Sequence, residues 1–338
     1  MNDPAEALEQ LSPELVALRQ ANVRLQRQLA QAKAKTAALI AAVEDAARDA
    51  AITIGRPEIP RPAKDRRTKG VEVALVHSTD WQGGKRTETF DMDVLEQRIV
   101  RFGEKIARIT DMQRVDHPVK HCVVMLGGDM VEGTSIFPGQ AWEVDASLYD
   151  QLFTVARIVE RHIGDMAAIF ETVHVVCEFG NHGRLGRPGD YQAGDNIDRM
   201  MYRIVSERFR NEPRVTWQTS GDWHQIVTIG AYRALLAHGD EIKSFGGNTP
   251  AFGILRKANA WASGVVADFD DVYLGHFHTP MTLTMANGRQ VYVTGSPESD
   301  NQYAAEFVAA KGHPSQRLHY VDPDAGRVTA SYLVWLDH

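Results

Sequence analysis

VHSTDWQGG, residues 76–84, is an apolar run that ends on a carboxylate, Asp80, and then breaks on two glycines. An aspartate in a turn commonly caps nearby backbone amides, so this stretch alone indicates a strand and a tight loop. The pattern recurs in VVMLGGDMVEG (123–133), VVCEFGNHGR (175–184), RALLAHGDE (233–241) and VYLGHFHTP (272–280). Because helical patterns alternate with these runs, the sequence predicts an α/β fold with polar loops at the strand ends.

The five loops carry carboxylate, amide and imidazole side chains. Glycine flanks most of them, as expected where the backbone turns tightly and side chains converge. Oxygen and imidazole ligands together suit divalent cations better than a thiolate site would. One such loop is a weak indication, but five in order predict a shared site. Its candidate residues are Asp80, Gln82, Asp129, Asn181, His182, Arg184, His238, His276 and His278.

In this order the loops resemble the motifs of the calcineurin-like metallophosphoesterase superfamily, which are D-x-H, G-D, G-N-H-D/E, a single His and G-H-x-H. The resemblance covers about residues 71–300. Its spacing is similar to that of phage-encoded and bacterial members and of the DNA-repair nuclease branch. It implies an α/β sandwich of two mixed β-sheets flanked by helices, and a binuclear metal centre that hydrolyses phosphoesters.

The resemblance also implies a role for each candidate residue except Arg184, whose role is considered from its chemistry. The first metal would be surrounded by Asp80, Gln82, Asp129 and His278. Asp129 would bridge to a second metal completed by Asn181, His238 and His276. His182 would be the catalytic acid or a phosphate-stabilising residue. Arg184 would add a phosphate contact, with an ordinary salt bridge as the alternative.

Two positions depart from the superfamily pattern. Gln82 stands where histidine is usual, and its weaker amide oxygen favours Mn²⁺ or Mg²⁺ over Zn²⁺. It is either a metal ligand or a group that supports the ligands. Gly183 replaces an acidic residue that would orient His182, unless Asp222 or Glu132 takes over. We therefore expect two divalent ions, Mn²⁺ in first place, with Mg²⁺, Fe²⁺ and Zn²⁺ as alternatives.

Residues 8–50 follow a heptad pattern, which predicts a coiled-coil helix in the segment 1–50. Ser12 and Pro13 are typical of a helix start. A buried Asn22 would fix the register of two parallel strands, so we predict a homodimer, with a single helix packed on the body as the alternative. The seam consists of Leu8, Leu11, Leu15, Leu18, Asn22, Leu25, Leu29, Ala32, Thr36, Leu39, Val43, Ala46 and Ala50.

Residues 51–70 are rich in proline and basic side chains, which predicts an extended, solvated linker between a helical segment (1–50) and a catalytic domain (71–338). The chain carries a formal net charge of −7, so the body supplies no general basic face for nucleic acid. No apolar run reaches the roughly 18 residues of a membrane span. The N-terminus is acidic, unlike a secretory signal, so we predict a cytoplasmic protein without a membrane partner.

These observations favour a metal-dependent phosphoric ester hydrolase that cleaves phosphodiester bonds, in nucleic acid above other substrates. A phosphomonoesterase acting on nucleotides or phosphoproteins is the alternative within enzymes. A non-catalytic scaffold with a degenerate metal site is the alternative outside them, because Gln82 and Gly183 depart from the pattern. In a third alternative the N-terminal helix has the main role and recruits a partner.

Overall fold

The computed structural model describes residues 57–134, 136, 140–186, 192, 194–243, 250–298 and 313–337, and scattered positions between 20 and 49. The chain divides into two compact units, Met1–Asp49 and Ala50–His338. The described positions of the first unit are helical. Ser12 and Pro13 lie outside the described residues, and pairing through the heptad seam stays a prediction.

The second unit contains eleven named strands and four α-helices among its described residues. The strands are β1 (Glu72–Ser78), β2 (Val119–Gly127), β3 (Thr172–Glu178), β4 (Val215–Thr219), β5 (His224–Ile229), β6 (Tyr232–Ala237), β7 (Asp271–Leu274), β8 (Met281–Thr284), β9 (Gln290–Val293), β10 (Ser315–Asp322) and β11 (Arg327–Trp335). The helices are α1 (Met92–Gln113), α2 (Leu148–Ile169), α3 (Ile197–Arg208) and α4 (Ala251–Ala260).

The strands form two mixed sheets. The larger has the order β11-β10-β1-β2-β3-β4, in which β1 to β4 are parallel and the β10–β11 hairpin pairs antiparallel with β1. The smaller has the order β5-β6-β7-β9-β8, with β6, β7 and β9 parallel between antiparallel edge strands. The predicted fold class, a sandwich of two mixed sheets flanked by helices, is confirmed.

The core follows from the two-residue period of the strands. Leu75 and Met125 of the larger sheet pack in one cluster with Leu236 and Tyr273 of the smaller sheet. Alternate residues of the smaller sheet face the other way and pack with α4 and the turn after it, where Trp261 is buried. The two sheets therefore pack face to face.

Side-chain caps start the helices that flank the larger sheet. Asp91, Ser147 and Asn196 each accept a hydrogen bond from a backbone N–H of the first turn of α1, α2 and α3. Both α2 and α3 contact β3. No helix in the described part of the chain is long and apolar enough to cross a membrane.

The linker is extended, as its prolines predict, but its described part is bound to the body of the second unit. The Arg67 guanidinium donates to the carbonyl of Arg114 at the end of α1 (2.8 Å) and pairs with Asp65 (2.7 Å). The Asp65 N–H donates to Glu171 (3.3 Å), and Arg214 donates to the Pro60 carbonyl (3.5 Å). Most of residues 57–70 are exposed, in keeping with a solvated linker, but some of its carbonyls and charged groups also find partners on the body.

Candidate metal centre

All five candidate loops follow the carboxyl ends of parallel strands. They come after β1, β2 and β3 in the larger sheet and after β6 and β7 in the smaller one. Backbone hydrogen bonds join the first two loops, from Asp80 N–H to Gly128 O (3.0 Å) and from Gln82 N–H to Asp129 O (3.0 Å). Because the strands are parallel, residues far apart in the chain meet at one edge.

Asp129 is the centre of one group of side chains. One ligand atom each of Asp129, His238 and His276 lie within 4.8 Å of one another. Asp129 Oδ2 and His238 Nε2 are 3.0 Å apart, without the angular geometry of a hydrogen bond. His238 Nδ1 lies 2.8 Å from the carbonyl of Gly127. If Nδ1 carries the proton and donates it there, the Nε2 lone pair is available to a cation.

Asp80 is the centre of a second group. Its carboxylate accepts from the backbone N–H of His276 at 2.9 and 3.0 Å, which joins the two sheets. His278 Nε2 lies 3.5 Å from Asp80 Oδ1 and 3.3 Å from the amide nitrogen of Gln82. Asp80, Gln82 and His278 are thus brought together, and their binding of one ion stays a prediction.

Five residues of the two groups share an unusual backbone conformation. Among the described residues, the positive-φ positions other than glycine are Asp80, Gln82, Asp129, His276 and His278, with φ between 50° and 65°. This conformation is uncommon for residues with a side chain, and strained backbone clusters at functional sites. Three of the five loops, those after β1, β2 and β7, therefore hold candidate ligands in a backbone conformation that costs local stability.

Two glycines make room for the carboxylates. A Cβ on Gly180 would clash with the Asp129 carboxylate, and one on Gly275 would lie 2.5 Å from Asp80 Oδ2. Side chains at these positions would push the carboxylates away from the centre. The glycines of the motifs are therefore required by close approach.

His182 is held by Glu132. His182 Nδ1 lies 2.8 Å from the Glu132 carbonyl and 3.4 Å from its carboxylate, and Gln140 donates to both Glu132 groups. Of the two partners considered from the sequence, Asp222 lies instead in an exposed turn with Ser220. Burial lowers the pKa of His182, but Asp129 and Glu132 outweigh it and raise the pKa to about 9.

Arg184 is engaged in an ion pair. Its guanidinium contacts the carboxylate of Asp240, two residues beyond His238. Its backbone forms an isolated antiparallel bridge with Asn196. The salt bridge considered from the sequence is therefore present, and a phosphate contact would require Arg184 to exchange its partner.

Asp198 was not identified from the sequence, although it joins two of the loops. Its buried carboxylate accepts from the N–H groups of Met130 (3.1 Å) and Gly180 (3.0 Å), which neighbour Asp129 and Asn181. Burial, followed by repulsion from Asp129, raises the pKa of Asp198 to about 6. The available sequence signal is DNID, residues 195–198, a helix-capping pattern before α3.

The burial and the hydrogen bonding of the donor atoms show whether the site suits divalent cations. Gln82 Oε1, Asp129 Oδ2, Asn181 Oδ1 and His238 Nε2 are all buried, and none of them has a hydrogen-bond partner. Buried polar atoms are rarely left without a partner, because the cost is about 1–3 kcal/mol each. Carboxylate, amide and imidazole donors are those that divalent cations accept. The residues therefore fit a metal centre.

A sandwich of two mixed sheets with these donors at the strand ends is the architecture that the resemblance to the calcineurin-like metallophosphoesterases implies. No family model matches the chain. The DNA polymerase II small subunit of Halobacterium salinarum is 31% identical over 117 residues, which cover 34% of this chain and 20% of that protein. The match thus spans about a fifth of that relative's length.

Several solved structures are similar at low identity. Vps29 from Entamoeba histolytica in complex with zinc is 13% identical, covering 78% of this chain and 99% of its own, with a TM-score of 0.32. A predicted phosphoesterase from Streptococcus pneumoniae is 13% identical, covering 78% and 98%, with a TM-score of 0.33. A metallophosphoesterase from Sphaerobacter thermophilus is 15% identical, covering 78% and 89%, with a TM-score of 0.30. The fold of this chain is assigned from its own strand order and loops.

Proposed function

We propose that this protein is a metal-dependent phosphoesterase that hydrolyses phosphodiester bonds with two divalent cations. The observation that carries the proposal is the convergence of Asp129, His238 and His276, whose ligand atoms lie within 4.8 Å of one another, with Asp129 Oδ2 and His238 Nε2 buried and without hydrogen-bond partners. In this proposal Asp80, Gln82 and His278 hold one ion, Asn181, His238 and His276 hold the other, and Asp129 contacts both. The amide oxygens favour Mn²⁺ or Mg²⁺.

Two such ions, when bound, supply a water nucleophile at neutral pH and hold the phosphoryl oxygens. The protein's own residues orient the reactants. His182 is anchored through Nδ1 on Glu132, and its Nε2 lies 4.0 Å from Asp129 Oδ2. In this proposal His182 acts through Nε2, the nitrogen opposite the anchored Nδ1, and donates to a phosphoryl oxygen or to the leaving group.

Arg184 supplies a second cationic group beside the centre. Its side chain is 34% exposed and reaches Asp240, so a phosphate approaching the centre competes with a carboxylate for the guanidinium. Guanidinium groups bind both anions in the same bidentate geometry. We assign Arg184 to phosphate binding in exchange for Asp240.

Nucleic acid is the substrate that we favour. The partial relative is a subunit of a DNA polymerase, which favours DNA for this chain. Trp142 also supports the assignment, because its side chain is 92% exposed on the short turn that begins at Gln140, next to the residues that hold His182. An exposed indole there offers a stacking surface for an unpaired base.

The experiment compares hydrolysis of bis-p-nitrophenyl phosphate, p-nitrophenyl phosphate, and single- and double-stranded DNA and RNA, with Mn²⁺, Mg²⁺ or a chelator. We expect the diester and single-stranded nucleic acid to be cleaved with Mn²⁺, and Asp129→Asn to lose activity. Asp222→Asn, in the exposed turn with Ser220, is the matched control and should keep it. Trp142→Ala should weaken cleavage of DNA but not of the small diester. Wild-type inactivity on every diester would refute the proposal.

We further propose that the N-terminal unit pairs two copies of the chain. The heptad seam with Asn22 supports a parallel dimer. Removing residues 1–49, which form a separate compact unit, should yield a monomer with unchanged hydrolysis of the small diester. Light scattering at two protein concentrations measures the mass. A full-length monomer would contradict the assignment.

A further inference from the structure

Glu298 lies behind the first group of ligands, in the loop that follows β9. One carboxylate oxygen is 3.0 Å from His278 Nδ1, and the other is 2.6 Å from the ammonium group of Lys85. The Glu298 side chain is 1% exposed and that of Lys85 is 15% exposed. The backbone N–H of Glu298 donates to Ser296, whose hydroxyl donates in turn to the Asp80 carbonyl. The carboxylate is therefore fixed by the same loop that supports Asp80.

The contact with Glu298 fixes the orientation of His278. With the Nδ1–H donating to the carboxylate, the opposite nitrogen, Nε2, points toward Asp80 and Gln82, at 3.5 and 3.3 Å. A carboxylate partner makes the imidazole a stronger electron-pair donor and holds its ring in place. Lys85 neutralises the Glu298 carboxylate, because burying this charge without a partner would cost folding free energy.

The two groups of ligands differ in the number of imidazoles they contain and in what supports those imidazoles. The group around Asp129 has two imidazoles, and His238 rests on the neutral carbonyl of Gly127. The group around Asp80 has one imidazole, His278, because Gln82 supplies an amide. The imidazole that is supported by a carboxylate, His278, thus belongs to the group with the weaker set of ligands.

Lys85 also connects Glu298 to Gln82 through the backbone. The Lys85 N–H donates to the Gln82 carbonyl at 2.9 Å, so the ammonium group and the amide belong to one tight turn. The series of contacts from Lys85 through Glu298 to His278 therefore begins and ends beside Gln82.

We infer that Glu298, held by Lys85, is a positioning residue that compensates for Gln82 by orienting and polarising His278 as a ligand of the first ion. This inference rests on the proposed two-ion function. Its test measures metal binding itself, so that it can be judged apart from hydrolysis.

The experiment titrates metal-free wild-type protein and the variants Glu298→Gln and Lys85→Met with Mn²⁺ in a calorimeter. We expect wild type to bind two ions and Glu298→Gln to bind one of them about 10–100-fold more weakly, with the other unchanged. Lys85→Met should weaken the same ion. Glu88→Gln, an exposed glutamate, is the matched control and should bind like wild type. In histidine-labelled protein, nitrogen resonances should show a weaker hydrogen bond from His278 Nδ1–H in Glu298→Gln, because a neutral amide oxygen replaces the carboxylate.

A double variant tests whether Glu298 compensates for Gln82. Adding Gln82→His to Glu298→Gln should restore most of the lost affinity, because a second imidazole replaces the support that the carboxylate gave. Wild-type affinity for both ions in Glu298→Gln, or an equal loss at both sites, overturns the inference. If Glu298→Gln does not fold, Lys85→Met is judged by the same criterion. Two bound ions without any hydrolysis by wild type would defeat the proposed function and leave this inference standing.

Discussion

Replacing Asp198 by asparagine tests whether the candidate centre depends on a carboxylate that touches no predicted ligand side chain. One carboxylate oxygen accepts from Met130 N–H (3.1 Å) and the other from Gly180 N–H (3.0 Å). Asparagine keeps one acceptor and turns an NH₂ group toward the other N–H. A lost hydrogen bond to a charged group, with a buried donor left unpaired, costs about 2–3 kcal/mol.

Because Met130 and Gly180 neighbour Asp129 and Asn181, the loss should also displace the two ligands. A displacement of about 1 Å reduces the rate roughly 100-fold. We therefore expect Asp198→Asn to unfold at lower urea concentration and to hydrolyse the small diester roughly 100-fold more slowly. The assays are urea unfolding followed by circular dichroism and steady-state kinetics, with Asp222→Asn as the control. Wild-type stability and rate in Asp198→Asn would refute the argument that this carboxylate joins the loops.

Two further predictions concern Gln82 and a buried histidine. Gln82→His should tighten Mn²⁺ binding in calorimetry without abolishing turnover, because imidazole is the stronger donor; loss of both would assign Gln82 another role. Burial lowers the pKa of His162 from 6.5 to about 4, in a pocket where its ring stacks on Phe102. The unfolded chain therefore binds more protons between these pH values, and stability falls as the pH drops from about 6.5 to 4, by up to about 3 kcal/mol. His162→Phe should flatten this dependence in urea titrations at pH 5 and 7.5, and an unchanged slope would contradict it.

The loops of the candidate centre were predictable because their signals are local. A glycine and a polar residue directly after an apolar run predict a loop at the end of a strand, and the structure has Asp80, Asp129, Asn181, His238 and His276 in such loops. The supporting residues were not predictable in this way. Asp198 is 68 positions from Met130, and Glu132 is 50 positions from His182, so no local pattern connects them.

The linker and the ion pair of Arg184 likewise combine features that the local sequence predicts with contacts that only the tertiary structure provides. Prolines made residues 57–70 extended, which is a local effect, but the hydrogen bonds of Arg67 and Arg214 depend on where the ends of α1 and α2 lie. Arg184 was open to two interpretations from its sequence position. The placement of Asp240 in the adjacent loop provides the ion pair.

By itself, the sequence determined which donor atoms the chain offers and at which strand ends they stand, because side-chain chemistry and turn formation depend on neighbouring residues. Only the tertiary structure decided which donors face one another, that Glu132 and not Asp222 supports His182, and that Lys85 and Glu298 stand behind His278. These distances follow from the pairing of parallel strands and the packing of two sheets, which bring together residues that no short pattern relates.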